Sequence, residues 1–495
     1  MMDALKSAEA RRIDNLTCQK VKSYDLMEKA GQMMADIIFS SYKIKNVLIV
    51  LGSGGNAGDG LVVGRFLEEK GVGVSIYKIS NIKNPDAQIN LEKFKGNIVT
   101  TIDFKYDLII DAILGNNQHD KLKDEYIDII NKINESNIKV VSLDMPTGIE
   151  SDNGLSLGAF IKSDLTITVE YPKLGLFLND GLDSYNKLKT IKLGMVSPSI
   201  NSIYHINSKD DFKNILTKRN RNSNKGSYGR ASIIAGSILY SGASMISNNA
   251  LISFMMGVGY QHLYVPKSLF DVYILRNPEI IVSPLSEENG FIKYNEEELD
   301  KIIKSSDSIA IGMGMGVSLD LYKSICYILK HFKGNLIIDA DAINTIAKYG
   351  VDCLKEKTCK TLLTPHPKEF ERISGLSKEY ILENQIKSSV DFARKYAVCL
   401  ILKGASSIIT SGMDTKINTF GNTALAKGGS GDALSGILCG LLAEFDMNTL
   451  NISLASYILG ASAEMAIKYE SERTLTISKI TKYIPNVIMD LENNL

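Results

Sequence analysis

The feature that most constrains this chain is a series of short Ile- and Val-rich runs, each ending in a loop that carries glycine or an acid. In the first half the expected strands are Lys45–Leu51, Gly73–Ile79, Asp107–Ile113, Lys139–Leu143 and Leu165–Val169, with a helix expected over Asp59–Lys70. Apolar strands separated by helices call for a parallel sheet covered on both faces. The pattern ends near Lys192–Met195. It restarts with a strand at Ala231–Ala235, a small-residue helix from Gly242, and strands expected at Ser308–Ile311, Leu336–Asp339, Thr361–Leu363 and Val398–Leu402. At 495 residues the chain exceeds one ordinary domain. The expectation is an α/β domain over 1–205, a connector at 206–224 and a second α/β domain over 225–495. Thr217–Lys225 is polar and basic; it reads as an exposed connector or as an ordered substrate-side loop.

Charge narrows the function. Lys+Arg and Asp+Glu are both 56, so the formal net charge is zero. Nothing global attracts nucleic acid or an anionic membrane, and any phosphate must be held by local loops. The six cysteines are widely spaced with no CxxC pair. That argues against zinc and for mostly buried thiols in a reducing compartment. Met1–Arg12 is charged throughout, and no apolar stretch reaches membrane-spanning length. A cytoplasmic protein is expected.

The chemistry concentrates in the loops. In the second half Lys427-Gly428-Gly429-Ser430-Gly431-Asp432 precedes a helix over Ala433–Leu442. Glycines permit close backbone approach to a ligand, and the helix start offers free N–H groups to a phosphate. Asp432, in the first turn, is placed to take a proton from an attacking hydroxyl. Read alone, it is equally a helix cap. Four further strand-end loops join it: Gly312–Gly316, Asp339-Ala340-Asp341, Thr364-Pro365-His366-Pro367-Lys368-Glu369 and Lys403-Gly404-Ala405. In open α/β sheets ligands bind at such strand ends. In the first half, Val47–Leu51 runs into Gly52-Ser53-Gly54-Gly55-Asn56-Ala57-Gly58-Asp59-Gly60, a Rossmann-type turn. The next strand, Val74–Lys78, ends without the acid that would read a ribose. Asp111 and Asp144 close two more strands, and with Asn56 they offer oxygen ligands to a hard cation.

The second-half series, from Lys225-Gly226-Ser227-Tyr228-Gly229 through Gly428–Asp432, resembles the NAD(P)H-hydrate dehydratase family, of ribokinase-like fold. The resemblance implies that ADP or ATP, with Mg²⁺, phosphorylates the hydroxyl of hydrated NADH or NADPH, after which phosphate leaves. It implies nucleotide binding by Lys403, Gly404, Ala405, Ser406, Ser407 and Gly431. Ala243, Gly314, His366 and Asp432 would face the hydrate, with Asp432 catalytic. Asn56–Gly60, Asp111–Gly115 and Asp144–Gly148 are similar to the NAD(P)H-hydrate epimerase family. That implies K⁺ held by Asn56, Asp111 and Thr147. It implies substrate against Gly55, Asn56, Ala57, Gly58 and Asp59, and against Gly115, Asn116, Asn117, Gln118, His119, Asp120 and Lys121. Asp144 would touch substrate as the acid/base group. The chain departs from that pattern at Asn116–His119, where the family often has Gly-Thr-Gly and then Arg.

The fold class expected is therefore α/β, a Rossmann-like three-layer domain followed by a ribokinase-like domain. The two halves together imply epimerisation of R and S hydrates and dehydration of the S form. Expected partners are NADH/NADPH hydrates, adenine nucleotide and further copies of the chain in a homo-oligomer, with no nucleic acid or membrane. One alternative is a ribokinase-class small-molecule kinase fused to a phosphate-binding regulatory domain, which would release a phosphorylated product. Another is a non-catalytic dinucleotide sensor, which would keep ligand binding without Asp432.

Overall fold

The computed structural model describes residues 2–240, 242, 250–276 and 279–492. The chain forms two compact units, Asp3–Tyr204 and one running from His205 to the C-terminal end.

The first unit is built on seven parallel strands: β1 Asn46–Leu51, β2 Gly73–Lys78, β3 Asn97–Val99, β4 Leu108–Ala112, β5 Val140–Leu143, β6 Leu165–Val169 and β7 Leu188–Ile191. Their order is β3-β2-β1-β4-β5-β6-β7. β1 pairs in parallel with both β2 and β4. The order therefore reverses at β1, the switch point beside which open α/β sheets bind ligands. One apolar layer gathers Val47, Ile49, Leu51 and Ile110 with Met34 and Ile38 of helix Ser23–Ser41; the other holds Leu48, Val50 and Ile109 with Ile130 and Ile133 of helix Asp124–Glu135.

The helix after β1 begins at Gly55, not near Asp59. Two of its glycines serve packing. A Cβ at Gly58 would lie 2.5 Å from Met27 Sδ, and one at Gly60 would lie 2.6 Å from Ala112 Cβ. The glycine run thus lets the helix start directly off the strand and lie flat on the sheet.

In the second unit β8 Tyr204–Ile206, β9 Arg230–Ile234, β10 Tyr260–Pro266, β11 Ile281–Leu285, β12 Ser308–Ile311, β13 Asn335–Ile338, β14 Lys360–Leu363, β15 Cys399–Leu402, β16 Ser407–Thr410 and β17 Thr415–Asn418 share one sheet. The order is β8-β17-β16-β15-β14-β13-β12-β9-β10-β11. The stretch from β15 through β12 to β9 is parallel throughout, so its five C-terminal loops share one edge. β16 and β17 then add antiparallel. Helices Ser430–Glu444 and Thr449–Ala466 pack across the sheet, their small and apolar faces buried with Ile233, Ala310, Ile337 and Leu362. Phe212 is buried in this core and β8 pairs with β17, so the segment after Tyr204 folds onto this unit. Thr217–Asn224 runs along its surface, and Arg219 pairs with Glu444 at 2.6 Å.

The thiols are less buried than their spacing implied. Cys359 and Cys439 are buried, Cys326, Cys353 and Cys399 are half-buried, and Cys18 is exposed. Cys439 belongs to the core of the second unit, Cys399 packs against that core, and Cys359 lies beside Thr361. Among the described residues no helix is long and apolar enough to cross a membrane.

Two candidate active sites

In the first unit Asp111 ends β4 fully buried. Its Oδ1 accepts from Thr147 Oγ1 at 2.7 Å and from the Ile113 N–H at 3.2 Å; its Oδ2 accepts from Ser142 Oγ at 2.8 Å and the Thr147 N–H at 2.9 Å. Burial pushes its carboxyl above the usual range, against the pull of those donors. Every donor is neutral, so the carboxylate charge lacks a countercharge among these contacts. Asn56 is buried in the first helical turn, and neither atom of its amide has a hydrogen-bond partner among the described residues. An unsatisfied buried amide costs about 1–3 kcal/mol, which an ion or ligand would offset. A Cβ at Gly115 would lie 3.3 Å from both Asn56 Cγ and Asp144 Oδ2, so glycine lets this loop pass between them without displacing either side chain.

Asp144 sits at φ +66°, unusual for a residue with a side chain. Its Oδ2 accepts from the Asn116 N–H at 2.8 Å, and its Oδ1 from Thr168 Oγ1 at 3.2 Å and from the Lys173 ammonium. Asp59 lies nearby; burial, then the charges of Asp144 and Asp14, raise its carboxyl well above the ordinary range. Asp14, Asp59, Asn116, Asp144 and Lys173 line one cavity of about 240 Å³ whose remaining wall is largely apolar, including Leu26 and Met27. Gly55 is partly open, whereas Ala57 and Gly58 are buried in helix packing.

The loop after Gly115 is held from behind. Asn117 and Gln118 N–H groups donate to Ser151 Oγ at 3.3 and 3.1 Å. The Gln118 amide donates to Pro146 O at 3.3 Å and accepts from the Gly148 N–H at 2.6 Å. His119 pairs with Glu150 and contacts Ser7 Oγ at 3.1 Å. Donor atoms of His119, Glu150 and Asp152 lie within 4.8 Å of one another, a spacing that suits a metal. Yet Glu150 already accepts from Asp152 and Asn153 N–H groups, and Asp152 from the Ser7 N–H. The trio staples loops together. Asp120 and Lys121 are exposed.

In the second unit helix Ser430–Glu444 starts after Gly429, whose φ is +95° and whose position carries no side-chain cap. The first-turn N–H groups of such a helix have no intrahelical partners. Asp432 stands in that turn. Burial, then the negative charge of Asp339, push its carboxyl up to about 7, with Lys403 opposing. Lys403 Nζ ion-pairs with Asp339 at 2.8 Å and lies beneath Gly431. The glycines of the β12 loop take positive φ, +123° at Gly312 and +62° at Gly314, and the Gly316 N–H donates to Asp341 at 2.8 Å.

His366 caps helix Pro367–Ser374. Its Nδ1 accepts from the Lys368 and Glu369 N–H groups at 3.1 and 3.2 Å, so the ring proton belongs on Nε2. Burial lowers its pKa, which keeps the ring neutral as the cap requires. Gly404 and Ala405 are exposed, Ser406 is buried, and Ser407 begins the antiparallel β16. The fold thus brings Gly314, His366, Lys403, Gly431 and Asp432 to one edge. Ala243, and most of the helix expected from Gly242, lie outside the described residues.

Sequence reasoning missed two contributors. Lys173 follows β6 in Tyr171-Pro172-Lys173, and a lone lysine after an apolar strand was its signal. Ser435, donating to Asp339 at 2.7 Å, reads in sequence as one more small residue in a helix.

These features define a class: an α/β protein with a cavity at a Rossmann-type switch point, followed by a ribokinase-like unit with a buried carboxyl in the first turn of a helix. Residues 231–486 match the family model described as NAD(P)H-hydrate dehydratase, and residues 23–175 match that of the YjeF-related protein N-terminus. A bifunctional NAD(P)H-hydrate repair enzyme of Dictyoglomus turgidum is 30% identical, covering 94% of this chain and 93% of that one. Its counterpart in Thermofilum pendens is 28% identical, covering 100% and 97%. Among solved structures, the ADP/ATP-dependent NAD(P)H-hydrate dehydratase of Bacillus subtilis, co-crystallised with ATP/Mg²⁺, matches 59% of this chain and 100% of its own at 25% identity and a TM-score of 0.51. The chain belongs to the NAD(P)H-hydrate dehydratase family, in the bifunctional form that carries the YjeF-related unit ahead of it.

Proposed function

We propose that the chain repairs hydrated NADH and NADPH, its first unit interconverting the R and S hydrates and its second dehydrating the S form with ADP or ATP. The observation that carries the reading is Asp432, a carboxyl poised near neutrality in the first turn of a helix whose N-terminus faces a glycine turn. In the dehydratase, Asp432 takes the proton of the hydrate hydroxyl as its oxygen attacks the terminal phosphorus. The nucleotide is the leaving group; loss of phosphate from the product then restores the ring double bond. Lys403 to Ser407 and Gly431 hold the nucleotide, while Gly314 and His366, with its Nε2–H, face the hydrate. Mg²⁺ brought with the nucleotide would neutralise phosphate charge there.

In the epimerase, Lys173 supplies a proton to the departing hydroxyl and Asp144 takes one from the returning water. Asn56, Asp111 and Thr147 suit K⁺: an amide without partners and a buried carboxylate met only by neutral donors are what a hard cation would complete. Bound there, K⁺ supplies the countercharge that Asp111 lacks. Exposed Leu239, Tyr240, Leu275 and Ile281 on the second unit support a homo-oligomer.

The test adds hydrated NADH and ADP or ATP and follows reduced-nicotinamide absorbance. Asp432→Asn should lose roughly 10²- to 10⁴-fold in rate while nucleotide still binds. A stable phosphorylated product would favour the simple kinase instead. An unchanged rate in the variant would remove Asp432 from its role.

A further inference from the structure

The catalytic turn of the second unit rests on a carboxylate that the reaction above does not use. Asp339 follows β13 with its side chain 1% exposed. Its Oδ1 accepts from Lys403 Nζ at 2.8 Å, and its Oδ2 from Ser435 Oγ at 2.7 Å. Ser435 lies three residues beyond Asp432, hence on the same face of the helix. A Cβ at Gly431 would lie 3.1 Å from Lys403 Nζ and 3.8 Å from Asp339 Oδ2. The ion pair therefore sits directly under the turn. Ala340 follows at φ +49° and ψ −119°, a conformation alanine rarely adopts. Such strain persists only where the surroundings impose it. Here it parts two acids: Asp339 goes under the turn, and Asp341 takes the Gly316 N–H.

We propose that Asp339 is a positioning residue for phosphoryl transfer: through Ser435 it fixes the helical turn that carries Asp432, and through Lys403 it holds the ammonium off Asp432. The proposal rests on the reading of Asp432 as the base. Four charged groups face Asp432: Asp339 from the end of β13, Asp341 from helix Asp341–Tyr349, Glu369 from helix Pro367–Ser374, and Lys403 from the end of β15. His366 stands at the same edge and feels Glu369, Lys403, Arg372 and Asp339. Lys403 is the one cation of the four. Burial works against the charges of both Asp339 and Lys403, but each is held in its ionised form chiefly by the other.

The two members of the pair should then act on the base with opposite sign. Asp339→Asn frees the ammonium to face Asp432 and favours its ionised form. Lys403→Met removes the ammonium and disfavours it. In the full chain, kcat/KM for dehydration is measured against pH. The acid limb should move about one pH unit or more downward in Asp339→Asn and upward in Lys403→Met. Ser435→Ala should lower kcat several-fold with the limb and the nucleotide KM in place. Coincident limbs in Asp339→Asn and the parent overturn the proposal, since a merely structural role lowers rates equally at every pH.

Should Asp339→Asn not fold, Asp339→Asn/Lys403→Met removes both members of the buried ion pair together and is compared with Lys403→Met. The limb of the double variant should lie lower; identical limbs overturn the proposal, because only the Asp339 charge separates the two. Asp432→Asn separates the two levels of the argument. A full rate in that variant sinks the base assignment itself, whereas an inactive Asp432→Asn with coincident limbs elsewhere sinks only the positioning role.

Discussion

Replacing Asp432 by Asn should make the protein more heat-stable at alkaline pH while it stops dehydration. The carboxyl is raised from 3.8 to about 7 by burial and by Asp339. That is about three units, at about 1.36 kcal/mol each, so the ionised form costs the fold on the order of 4 kcal/mol at most. The direction follows from linkage. The folded carboxyl holds its proton more tightly than the unfolded one, so stability is greatest at low pH. It falls as pH rises from about 4 through about 7 and levels off above. Asn has no proton to lose. The gap between variant and parent should therefore open across that window and be widest near pH 8.5. Half of the upper limit would shift Tm by several degrees, at about 2–4 °C per kcal/mol for a unit of this size. Scanning calorimetry at pH 5 and pH 8.5, following the transition that ADP raises, measures it. An equal Tm difference at both pH values, or a larger one at pH 5, refutes the reasoning.

Asn56→Leu should raise the K⁺ concentration needed for epimerisation more than tenfold. It should also stabilise the K⁺-free first unit, because a buried unsatisfied amide costs about 1–3 kcal/mol; equal thermal protection by K⁺ in variant and parent would remove Asn56 from the ligand set. Gly404→Val should raise the apparent nucleotide constant and cost some stability, since a Cβ there would lie 2.9 Å from the Ser406 carbonyl oxygen and force the exposed loop to shift. Undiminished protection by ADP in that variant would mean the loop contacts something else.

Both α/β layers were legible because each core strand is a short Ile/Val run closed by glycine, acid or proline. Val47–Leu51 and Leu336–Ile338 carry that signal without ambiguity. Tyr260–Pro266, Ser407–Thr410 and Thr415–Asn418 did not, because Gln261, His262, Ser407 and Lys416 interrupt the apolar run. His262 meets Ser283 on the neighbouring strand, whereas Gln261 is buried inside the sheet. Glycines misled in a different way. Gly58 and Gly60 look like loop residues in sequence, and only their closeness to Met27 of helix Ser23–Ser41 and to Ala112 of β4 shows that they let the helix pack on a neighbouring helix and on the sheet. Pairings across the fold were the least visible. Lys173 with Asp144 and Ser435 with Asp339 are joined over 29 and 96 residues, and no local pattern marks them.

The loop at Asn116–His119 shows how a departure from a family pattern is absorbed. A glycine-rich loop would point its N–H groups at a phosphate; here the Asn116 N–H goes to Asp144, and those of Asn117 and Gln118 go to Ser151 Oγ. Gln118 then ties the loop to Pro146 and Gly148, on either side of Thr147, the residue proposed to hold the cation. We propose that the loop trades direct phosphate contact for a rigid hold on Asp144. On that reading anion recognition would fall to the exposed Lys121, where it must be long-range and screened by salt. Two variants separate these tasks, each made in the Asp432→Asn chain so that only the approach of R and S hydrates to equilibrium is read. Lys121→Ala should raise the hydrate KM several-fold at low ionic strength, with the effect fading at high salt and kcat unchanged. Gln118→Ala strands the Gly148 N–H and frees the loop, so kcat should fall tenfold or more while K⁺ protection persists. If Lys121→Ala leaves KM unchanged in dilute buffer, or Gln118→Ala changes KM alone, the loop still cradles its ligand directly and the division of labour is wrong.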